Sequence, residues 1–530
     1  MAKLRIRQSI QHIQYLYDSN TDRSVLEKLI KAWRGIQALP PYHPNSYFRI
    51  GGFHGEPFRG PGVSDTNWWG GYCNHGNVLF PTWHRAYLLR LEEALRSIEG
   101  CEDVTLPFWD ETFDLDHPIP DILTSPTFPL DGGPRNPLYS YTLQKTLYEN
   151  VAGNRYTKPE GYTTVRYPLS GLVGTPKEAE ETKVHNAKYD DPKARNKILN
   201  DNVSAWLKGT VKITHDGGEK TMYPDTYSVA ARLRLCLAAP NYTVFSNTSS
   251  QCQWITDHGS HNPDYVVSLE SPHNAIHLAV GGFYHRGVYD ADAILGANGD
   301  MGDNETAGFD PIFFLHHCFV DYVFWTWQKR ASKTQPGSLT VIKGYHGTVV
   351  EEHDGLPYLA PGTTLDNTTP LYPLRTARDA YYTSDDVTDI EGQLGYTYAR
   401  GSLDHVPEGP RSGHLGAIDA EMAAIKRVRN VSRADYPGSF VIRTYIRHPR
   451  TEEQIEIGRE PVLSRRNIAA CRNCQNKLDV DSLVPVYKGM LDALGVKEIP
   501  EAWAEIHTHD QLRLREPWPG SHRKPIVDDL

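Results

Sequence analysis

The sequence predicts a mainly α-helical protein with a smaller β-rich or α+β region at its C-terminal end. Two observations support this fold class. Before residue 400, long stretches repeat apolar side chains at helical spacing. Beyond Tyr398, residues 401–416 combine glycine, proline, serine and histidine without periodicity, and strand-like alternation follows. We therefore expect a helical first domain over residues 1–400 and a second, smaller domain over residues 401–530.

Individual elements follow from the same patterns and from their boundary residues. The helix that begins at Asp22 stops at Pro40-Pro41. The helix that follows Asp310-Pro311 is apolar almost all round, which predicts burial. The predicted helices of the first domain are Asp22–Leu39, Thr82–Ile98, a short one within Ile198–Leu207, Pro272–Val280 and Ile312–Lys329. In the second domain we expect a helix over Ala417–Arg427, strands over Ser439–Arg447 and Gln454–Ile457, and a helix over Val484–Leu494.

Composition excludes several functional classes. The 530 residues carry 55 Lys and Arg against 65 Asp and Glu, a net charge of −10, which argues against nucleic acid or an anionic membrane surface as the main partner. There is no apolar run long enough to predict a membrane span. No secretory signal is visible, and seven cysteines are too few for a disulfide framework. These features predict a cytoplasmic protein with reduced thiols, and they leave a homo-oligomer open.

Histidine, the commonest metal ligand, occurs 23 times and in three informative groups. His273 and His277 are four residues apart, so they lie on one helix face and can converge on one metal. Such a pair alone is a common accident and could be two surface histidines. A third histidine on the apolar helix that contains His316 and His317 strengthens the metal interpretation, because a buried imidazole needs a partner.

Helix phase selects one residue of this last pair. Phe313, His317 and Phe324 share one face of the helix, and His316 points about 100° away from His317. We therefore predict His317 as a ligand and His316 as a packed histidine that supports a ligand.

A second set of three histidines lies earlier in the chain. His84 lies on the apolar face of its predicted helix, and His54 and His75 lie in the glycine-rich segment before it. Two sets of three imidazoles without a carboxylate suit copper or zinc. A dizinc hydrolase would add bridging carboxylates, and the HExxH, phosphate-loop and GxSxG motifs are absent from the sequence.

These residues resemble the two copper-binding signatures of the type 3 copper proteins, which comprise tyrosinases, catechol oxidases and molluscan-type haemocyanins. The sharpest match is the octapeptide Asp310-Pro-Ile-Phe-Phe-Leu-His-His317, followed by Tyr72–His75 and Phe80–Arg85. Tyr396-Thr-Tyr398 resembles the tyrosine motif that closes the catalytic domain of the family. The similarity covers roughly the first 400 residues and is greatest to long, fungal-type tyrosinases with a C-terminal shielding domain.

The resemblance implies a four-helix bundle that holds two copper ions, with dioxygen as co-substrate and small phenols as substrates. The implied ligands are His54, His75 and His84 for one ion and His273, His277 and His317 for the other. The expected activity is ortho-hydroxylation of monophenols and oxidation of o-diphenols to o-quinones, the chemistry of melanin formation. Alternatives are a catechol or o-aminophenol oxidase that performs only the second step, and a haemocyanin-like dioxygen carrier.

The resemblance also suggests roles for residues beside the ligands. Cys73 could form a thioether with His75 or remain a free buried cysteine. Glu270 and Asn274 are expected to hold a water that takes the proton from an incoming phenol. The alternative for this pair is an acid at the helix N-terminus and a capping amide. Phe313 is expected to limit substrate approach, and Asp321 is expected to orient a ligand histidine.

Further roles are assigned to the second domain. Cys471 and Cys474 form a CxxC pair that by itself suggests zinc, redox chemistry or nothing. In long fungal-type tyrosinases, a similar pair is implicated in copper delivery, since thiolates suit Cu(I). Tyr487 and Trp503 are candidates for a side chain that covers the active site.

Overall fold

A computed structural model describes most of the chain. It covers residues 4–55, 71–149, 151–215, 218–224, 228–258, 265–283, 299–350, 359–406, 422–436, 438–466, 468, 474, 477–509 and 523–530. All structural statements below refer to these residues.

The first part of the chain is helical and contains the five helices expected from the sequence. Its helices are α1 (Ile10–Asp18), α2 (Ser24–Ala38), α3 (Tyr47–Gly52), α4 (Phe80–Arg96), α5 (Asp121–Thr124), α6 (Pro176–Asn186), α7 (Pro192–Lys208), α8 (Val229–Cys236), α9 (Tyr242–Ser246), α10 (Thr248–His258), α11 (Glu270–Gly281) and α12 (Ile312–Arg330). Short two-stranded sheets flank them, built from β1 (Arg5–Arg7) with β6 (Tyr396–Tyr398), β2 (Thr127–Leu130) with β3 (Gly133–Arg135), and β4 (Thr210–Thr214) with β5 (Lys220–Pro224). This confirms the mainly α fold class.

Three buried helices, α4, α11 and α12, form the centre of the helical part. Helix α4 packs against α2 and α12, and α11 packs against α7 and α8. Helix α12 is buried from Ile312 to Gln328, as its uniform apolar character predicts. Because α11 is buried along its whole length as well, any polar side chain on these two helices must find a partner inside the protein.

The C-terminal part consists mainly of two three-stranded antiparallel sheets. The first contains β10 (Asp479–Tyr487), β7 (Met422–Ser432) and β12 (Ile526–Asp529) in that order, and the second contains β11 (Ala502–Thr508), β8 (Phe440–Arg447) and β9 (Gln454–Val462). A short helix, α13 (Lys488–Leu494), follows β10. Apolar residues of both sheets share one buried cluster, with Val428 on β7, Ile442 on β8 and Ile506 on β11. The expected smaller β-rich region is therefore present.

Two expected helices of this region are wrong in whole or in part. The described portion of Ala417–Arg427 belongs to β7, and residues 417–421 lie outside the described residues. The helix expected over Val484–Leu494 begins only at Lys488, because Val484–Tyr487 ends β10. Alanine, lysine and arginine favour a helix locally, but β7 pairs with β10 on one side and β12 on the other. These ladders satisfy its backbone groups and override the local propensity.

Buried polar contacts join the two parts of the chain. Arg232 on α8 donates to Glu460 Oε2 at 3.0 Å and to the carbonyl of Arg459 at 2.6 Å, both on β9. The same guanidinium donates to Ser271 Oγ on α11 at 2.6 Å. Arg466, just after β9, pairs with Asp303 at 2.5 Å. The β region is thereby held directly against α11.

Within the described residues, none of the helices combines the length and apolar character that crossing a membrane requires.

Candidate metal centre

Three histidines from the first half of the chain converge at the end of α3 and the start of α4. His54 follows α3, His75 lies in the loop before α4, and His84 is on the first turns of α4. The ring centroids of His54 and His75 are 5.4 Å apart, and that of His84 lies 5.8 Å from His54 and 5.3 Å from His75. The three residues therefore lie close together, as the sequence predicts.

The second set converges more tightly. His273 and His277 project from one face of α11 toward His317 on α12. The Nε2 atoms of His273 and His277 each lie 3.2 Å from His317 Nε2. Ligand nitrogens at about 2.0 Å from a tetrahedral ion are separated by about 3.3 Å. The helix-phase argument that selected His317 as a ligand is therefore supported by the geometry.

The two triads face each other across one short gap. His84 stacks on His317, with ring centroids 4.4 Å apart and planes inclined by 16°. His75 and His273 lie 5.6 Å apart in a similar arrangement. Phe313 lies between the sets, 4.1 Å from His317, 4.8 Å from His54 and 5.6 Å from His277. Phe313 thus packs against ligands of both triads, which is consistent with its expected place beside the metal pair.

Hydrogen bonds at Nδ1 turn the other nitrogen of four ligands toward the centre. The Nδ1 atoms of His84 and His277 each donate to a backbone carbonyl at 2.8 Å, those of Phe80 and Met301. His54 Nδ1 donates to the carbonyl of Asn304 at 3.3 Å. His273 Nδ1 donates to Asn274 Oδ1 at 2.9 Å. This pattern fixes the tautomer and the ring orientation of a metal-binding histidine.

Several ring nitrogens are buried without a hydrogen-bond partner. They are His54 Nε2, His84 Nε2, both nitrogens of His75, and His317 Nδ1. Such orphaned nitrogens carry a free-energy cost unless something binds them. Burial also lowers the pKa of all six imidazoles, that of His84 to about 3. The rings are neutral at physiological pH, which is the state that ligates metal, so the residues fit a pair of metal ions.

Cys73 lies beside the first triad as a free, buried thiol. Its sulfur and one nitrogen each of His54 and His75 lie within 4.8 Å of one another. Burial raises the pKa of the thiol, and Arg465 opposes this shift. Proximity is compatible with a thioether to His75, which stays a prediction.

Glu270 joins the two halves of the centre. Its Oε1 accepts from the amide of Gly76 at 2.8 Å, and its Oε2 accepts from the amide and hydroxyl of Thr248 at 3.0 and 3.2 Å. Gly76 has φ +67°, and a Cβ there would lie 3.0 Å from Lys477 Cγ, so glycine suits this position. Burial raises the pKa of Glu270, while its two amide hydrogen bonds lower it. Asn274 contacts His273 rather than capping the helix.

We expected Asp321 to orient a ligand histidine, and this expectation is wrong, because its carboxylate bonds to two arginines and two tyrosines instead. Its Oδ1 accepts from Arg85 Nε at 2.6 Å, and its Oδ2 accepts from Arg7 Nη1 at 3.4 Å. The hydroxyls of Tyr396 and Tyr398 donate to Oδ2 at 2.8 and 2.5 Å. Two buried guanidinium groups supply the charge that this carboxylate needs, so it anchors α12 to α4, β1 and β6. Asp110, by contrast, makes a structural hydrogen bond, to the amide of Ser402.

The two candidates for a covering side chain, Trp503 and Tyr487, lie on strands β11 and β10. Trp503 pairs with Tyr445 across the sheet, stacks on it at 5.9 Å, and donates its indole N–H to Glu505. Tyr487 is the last residue of β10. Cys471 lies outside the described residues, and Cys474 is disulfide-bonded. The expectation of reduced thiols is therefore wrong at Cys474 and holds for Cys73, Cys101, Cys236, Cys252 and Cys318.

Two residues that the sequence did not place beside the centre are there. Arg465, after β9, donates to the carbonyl of His54 at 3.0 Å and to Cys73 Sγ at 3.4 Å. Glu111 Oε1 lies 2.5 Å from His316 Nδ1, and His316 groups with His273, His277 and His317. Arg465 is separated from His54 by 411 positions, so no local pattern could reveal the contact. The Glu111 contact could have been sought from the need of a buried imidazole for a partner.

Two buried imidazole triads on a helical bundle define a type 3 dinuclear metal centre. Residues 44–330 match the family model described as the common central domain of tyrosinase. Tyrosinase HcTyr2 of Hahella sp. strain CCB-MM4 is 47% identical over 97% of this chain and 94% of that protein. A tyrosinase of Aspergillus oryzae is 39% identical over 87% of this chain and 86% of that protein.

Solved structures give the same result. The tyrosinase of Burkholderia thailandensis at low pH is 44% identical and superposes with a TM-score of 0.82, covering 99% of this chain and 100% of that one. The chain belongs to the tyrosinase family. It is a copper-dependent phenol oxidase whose cofactor is a pair of copper ions and whose substrates are phenolic. The two histidine clusters fit two copper sites.

Proposed function

We propose that this protein ortho-hydroxylates monophenols and also oxidises o-diphenols to o-quinones. The contact that carries the proposal is the one between Asn274 Oδ1 and His273 Nδ1, 2.9 Å apart, one turn from Glu270 on α11. A tyrosinase must remove a proton from its monophenol, whose pKa is about 10. We expect oxidation of an o-diphenol to depend less on this base, and the assay below measures the difference.

The roles of the side chains follow from their surroundings. Bound copper supplies the electron exchange with dioxygen. Glu270 is buried and acts as the proton acceptor through a water, since a carboxylate oxygen has two lone pairs and Oε1 gives one of them to Gly76. Burial raises the pKa of Glu270, which makes the carboxylate a stronger base than an exposed glutamate. Asn274 fixes the ring of His273 and presents its amide beside that ligand.

The assay that tests this proposal follows oxygen uptake with tyrosine, with and without a trace of catechol, for the wild type, Glu270→Gln and Asn274→Leu. We expect a lag with tyrosine that catechol removes. Loss of a positioned base costs about 10²-fold or more, so the variants should lose monophenol turnover by this factor and keep o-diphenol turnover within about threefold. A wild type that oxidises only catechol would establish a catechol oxidase instead.

We also propose that residues 1–400 form the catalytic domain and that residues 401–530 shield its entrance. Support comes from the hydrogen bonds of Arg465 to the carbonyl of His54 and to Cys73, which lies in the loop before α4 (residues 71–79, the first copper loop). Lys477 also lies close to this loop, since its Cγ would be 3.0 Å from a Cβ at Gly76. Proteolytic removal of the region after about residue 400 should raise phenol turnover. If the trimmed protein binds dioxygen reversibly and still oxidises no phenol, the haemocyanin-like alternative is correct.

A further inference from the structure

His316 has the surroundings of a metal ligand although it belongs to neither triad. Its Nδ1 lies 2.5 Å from Glu111 Oε1, and both side chains are almost completely buried. Its Nε2 is buried without a hydrogen-bond partner. A ligating imidazole characteristically gives one nitrogen to a carboxylate or carbonyl and turns the other toward the ion. His316 shares this arrangement with His54 and His84.

The position of His316 brings it close to the second copper site. Its ring centroid lies 5.2 Å from that of His273, 5.0 Å from that of His277 and 5.1 Å from that of His317. One ring nitrogen from each of these four residues lies within 4.8 Å of the others. Two nitrogens bound to one ion at about 2.0 Å are at most about 4.0 Å apart. A shift of less than about 1 Å therefore brings all four nitrogens within reach of one ion.

Glu111 is a buried acid whose partner in the described part of the chain is an imidazole. Within the described residues, the one side chain that the structure pairs with it is His316. The neighbouring Asp110 instead accepts from Ser402. A buried carboxylate is costly unless a positive charge accompanies it. An ion on His316 Nε2 would supply that charge through the ring.

We infer that His316, oriented by Glu111, is a loading ligand of the second copper site. It binds an incoming copper ion through Nε2 together with His273 and His277, and then yields the ion to His317. The exchange replaces one neutral imidazole nitrogen by another on the same ion, so it needs no electron and no net proton transfer. His316 and His317 are consecutive on α12, which keeps the exchange local.

Copper binding to the metal-free chain provides the first test. His317→Ala removes the final ligand, and His316→Leu/His317→Ala removes both. Competition with a chromophoric Cu(I) chelator measures how many ions each chain retains and how tightly. We expect His317→Ala to hold a weakened second ion, and the double variant to bind that ion at least about tenfold less tightly, a loss of about 1.4 kcal/mol. Equal affinity in the two variants would overturn the inference.

The kinetics of copper loading provide the second test, and the variants used in it retain all six histidines of the two triads. Metal-free wild type, His316→Leu and Glu111→Gln are mixed with the coloured Cu(I)–chelator complex, and the loss of its absorbance is followed. We expect every chain to reach two ions, with the second entering about tenfold more slowly in His316→Leu and several-fold more slowly in Glu111→Gln. Asp110→Asn is the control for the carboxylate. His185→Leu is the control for the imidazole, because His185 is buried and bonds the carbonyl of Pro168.

Two results of the kinetic test contradict the inference. One is a second phase within twofold of the wild type in both His316→Leu and Glu111→Gln. The other is equal slowing in the control variants, which would show a general effect of altering buried polar groups. Should His316→Leu fail to fold, Glu111→Gln decides the outcome, since it preserves the shape of the carboxylate.

Discussion

The guanidinium of Arg465 donates a hydrogen bond to Cys73 Sγ at 3.4 Å and links the C-terminal β region to the first copper loop. The same Nη2 atom also donates to the carbonyl of His54 at 3.0 Å. Cys73 lies beside the first triad and His54 is one of its three histidines, so Arg465 fixes this part of the chain from outside the helical bundle. A displacement of the β region must therefore break contacts made directly beside a copper ligand.

Replacing Arg465 should weaken the first copper site. Arg465→Met keeps a long side chain but removes both hydrogen bonds, which contribute about 1.5–3 kcal/mol each when the donor is charged. We expect copper affinity to fall about tenfold or more, measured as copper per chain after dialysis against graded chelator. Arg447→Met, at an exposed arginine stacked on Trp503, should retain wild-type copper. Equal retention by both variants would show that Arg465 does not support the loop.

Asp321 should be among the carboxylates whose loss costs most stability. Asp321→Asn leaves the buried guanidinium groups of Arg7 and Arg85 without their shared carboxylate, and breaking a buried ion pair costs about 3–5 kcal/mol. Denaturant unfolding of the metal-free chain measures the loss. Asp103→Asn is the matched control, because Asp103 is 69% exposed in its pair with Lys28 and such pairs contribute about 1 kcal/mol or less. A loss at Asp321 as small as that at Asp103 would contradict the assigned anchor.

Removal of copper should make stability depend steeply on pH. The six ligand imidazoles have a pKa below the ordinary value of 6.5 in the folded chain, so the unfolded chain binds more protons below that pH. The free energy of unfolding is therefore highest above about pH 6.5 and falls as pH decreases, by up to about 1.4 kcal/mol per pH unit for each histidine.

Urea unfolding at several pH values between 7.5 and 5.5, with chelator present, measures this dependence. His117→Gln is the control, because it removes a half-exposed histidine and leaves the six buried imidazoles in place. Unfolding free energies that stay constant over this range would show that the imidazoles protonate freely in the folded state.

Phe313 should support both triads by packing. Phe313→Ala opens a cavity at a fully buried position, which costs about 3–5 kcal/mol. It also frees the rings of His54 and His317 to reorient, so copper should leave the protein faster during dialysis. Phe113→Ala removes the same ring at a position that is 67% exposed and should change neither quantity. A copper release rate equal to that of the wild type would restrict Phe313 to core packing.

The sequence alone predicted a feature correctly where a single helix determines which side chains lie together. The spacing of His273 and His277, and the phase of His317 on an apolar helix, specified the second triad because helix geometry fixes which side chains share a face. The first triad followed from short-range order as well, since His75 and His84 are separated by a loop and one helix turn. The main helices were predicted for the same reason, within a few residues at each end.

Long-range contacts account for what the sequence did not reveal. Asp321 was assigned to a ligand histidine, but Arg7, 314 positions earlier, takes that carboxylate. The first part of strand β7, residues 422–427, was expected to be helical, because its alanines and basic residues favour a helix locally. Pairing with two other strands overrides that preference. Partners this distant cannot be inferred from spacing or periodicity.

The parallel pairing of β1 with β6 brings Arg5–Arg7 alongside Tyr396–Tyr398. The two ends of the helical part of the chain therefore lie next to each other. This arrangement permits circular permutation, in which a short linker joins the two adjacent ends of the helical part and new termini are opened at a surface turn. It also means that the segment beyond Tyr398 can be replaced by a different one without changing the path of any helix that carries a copper ligand.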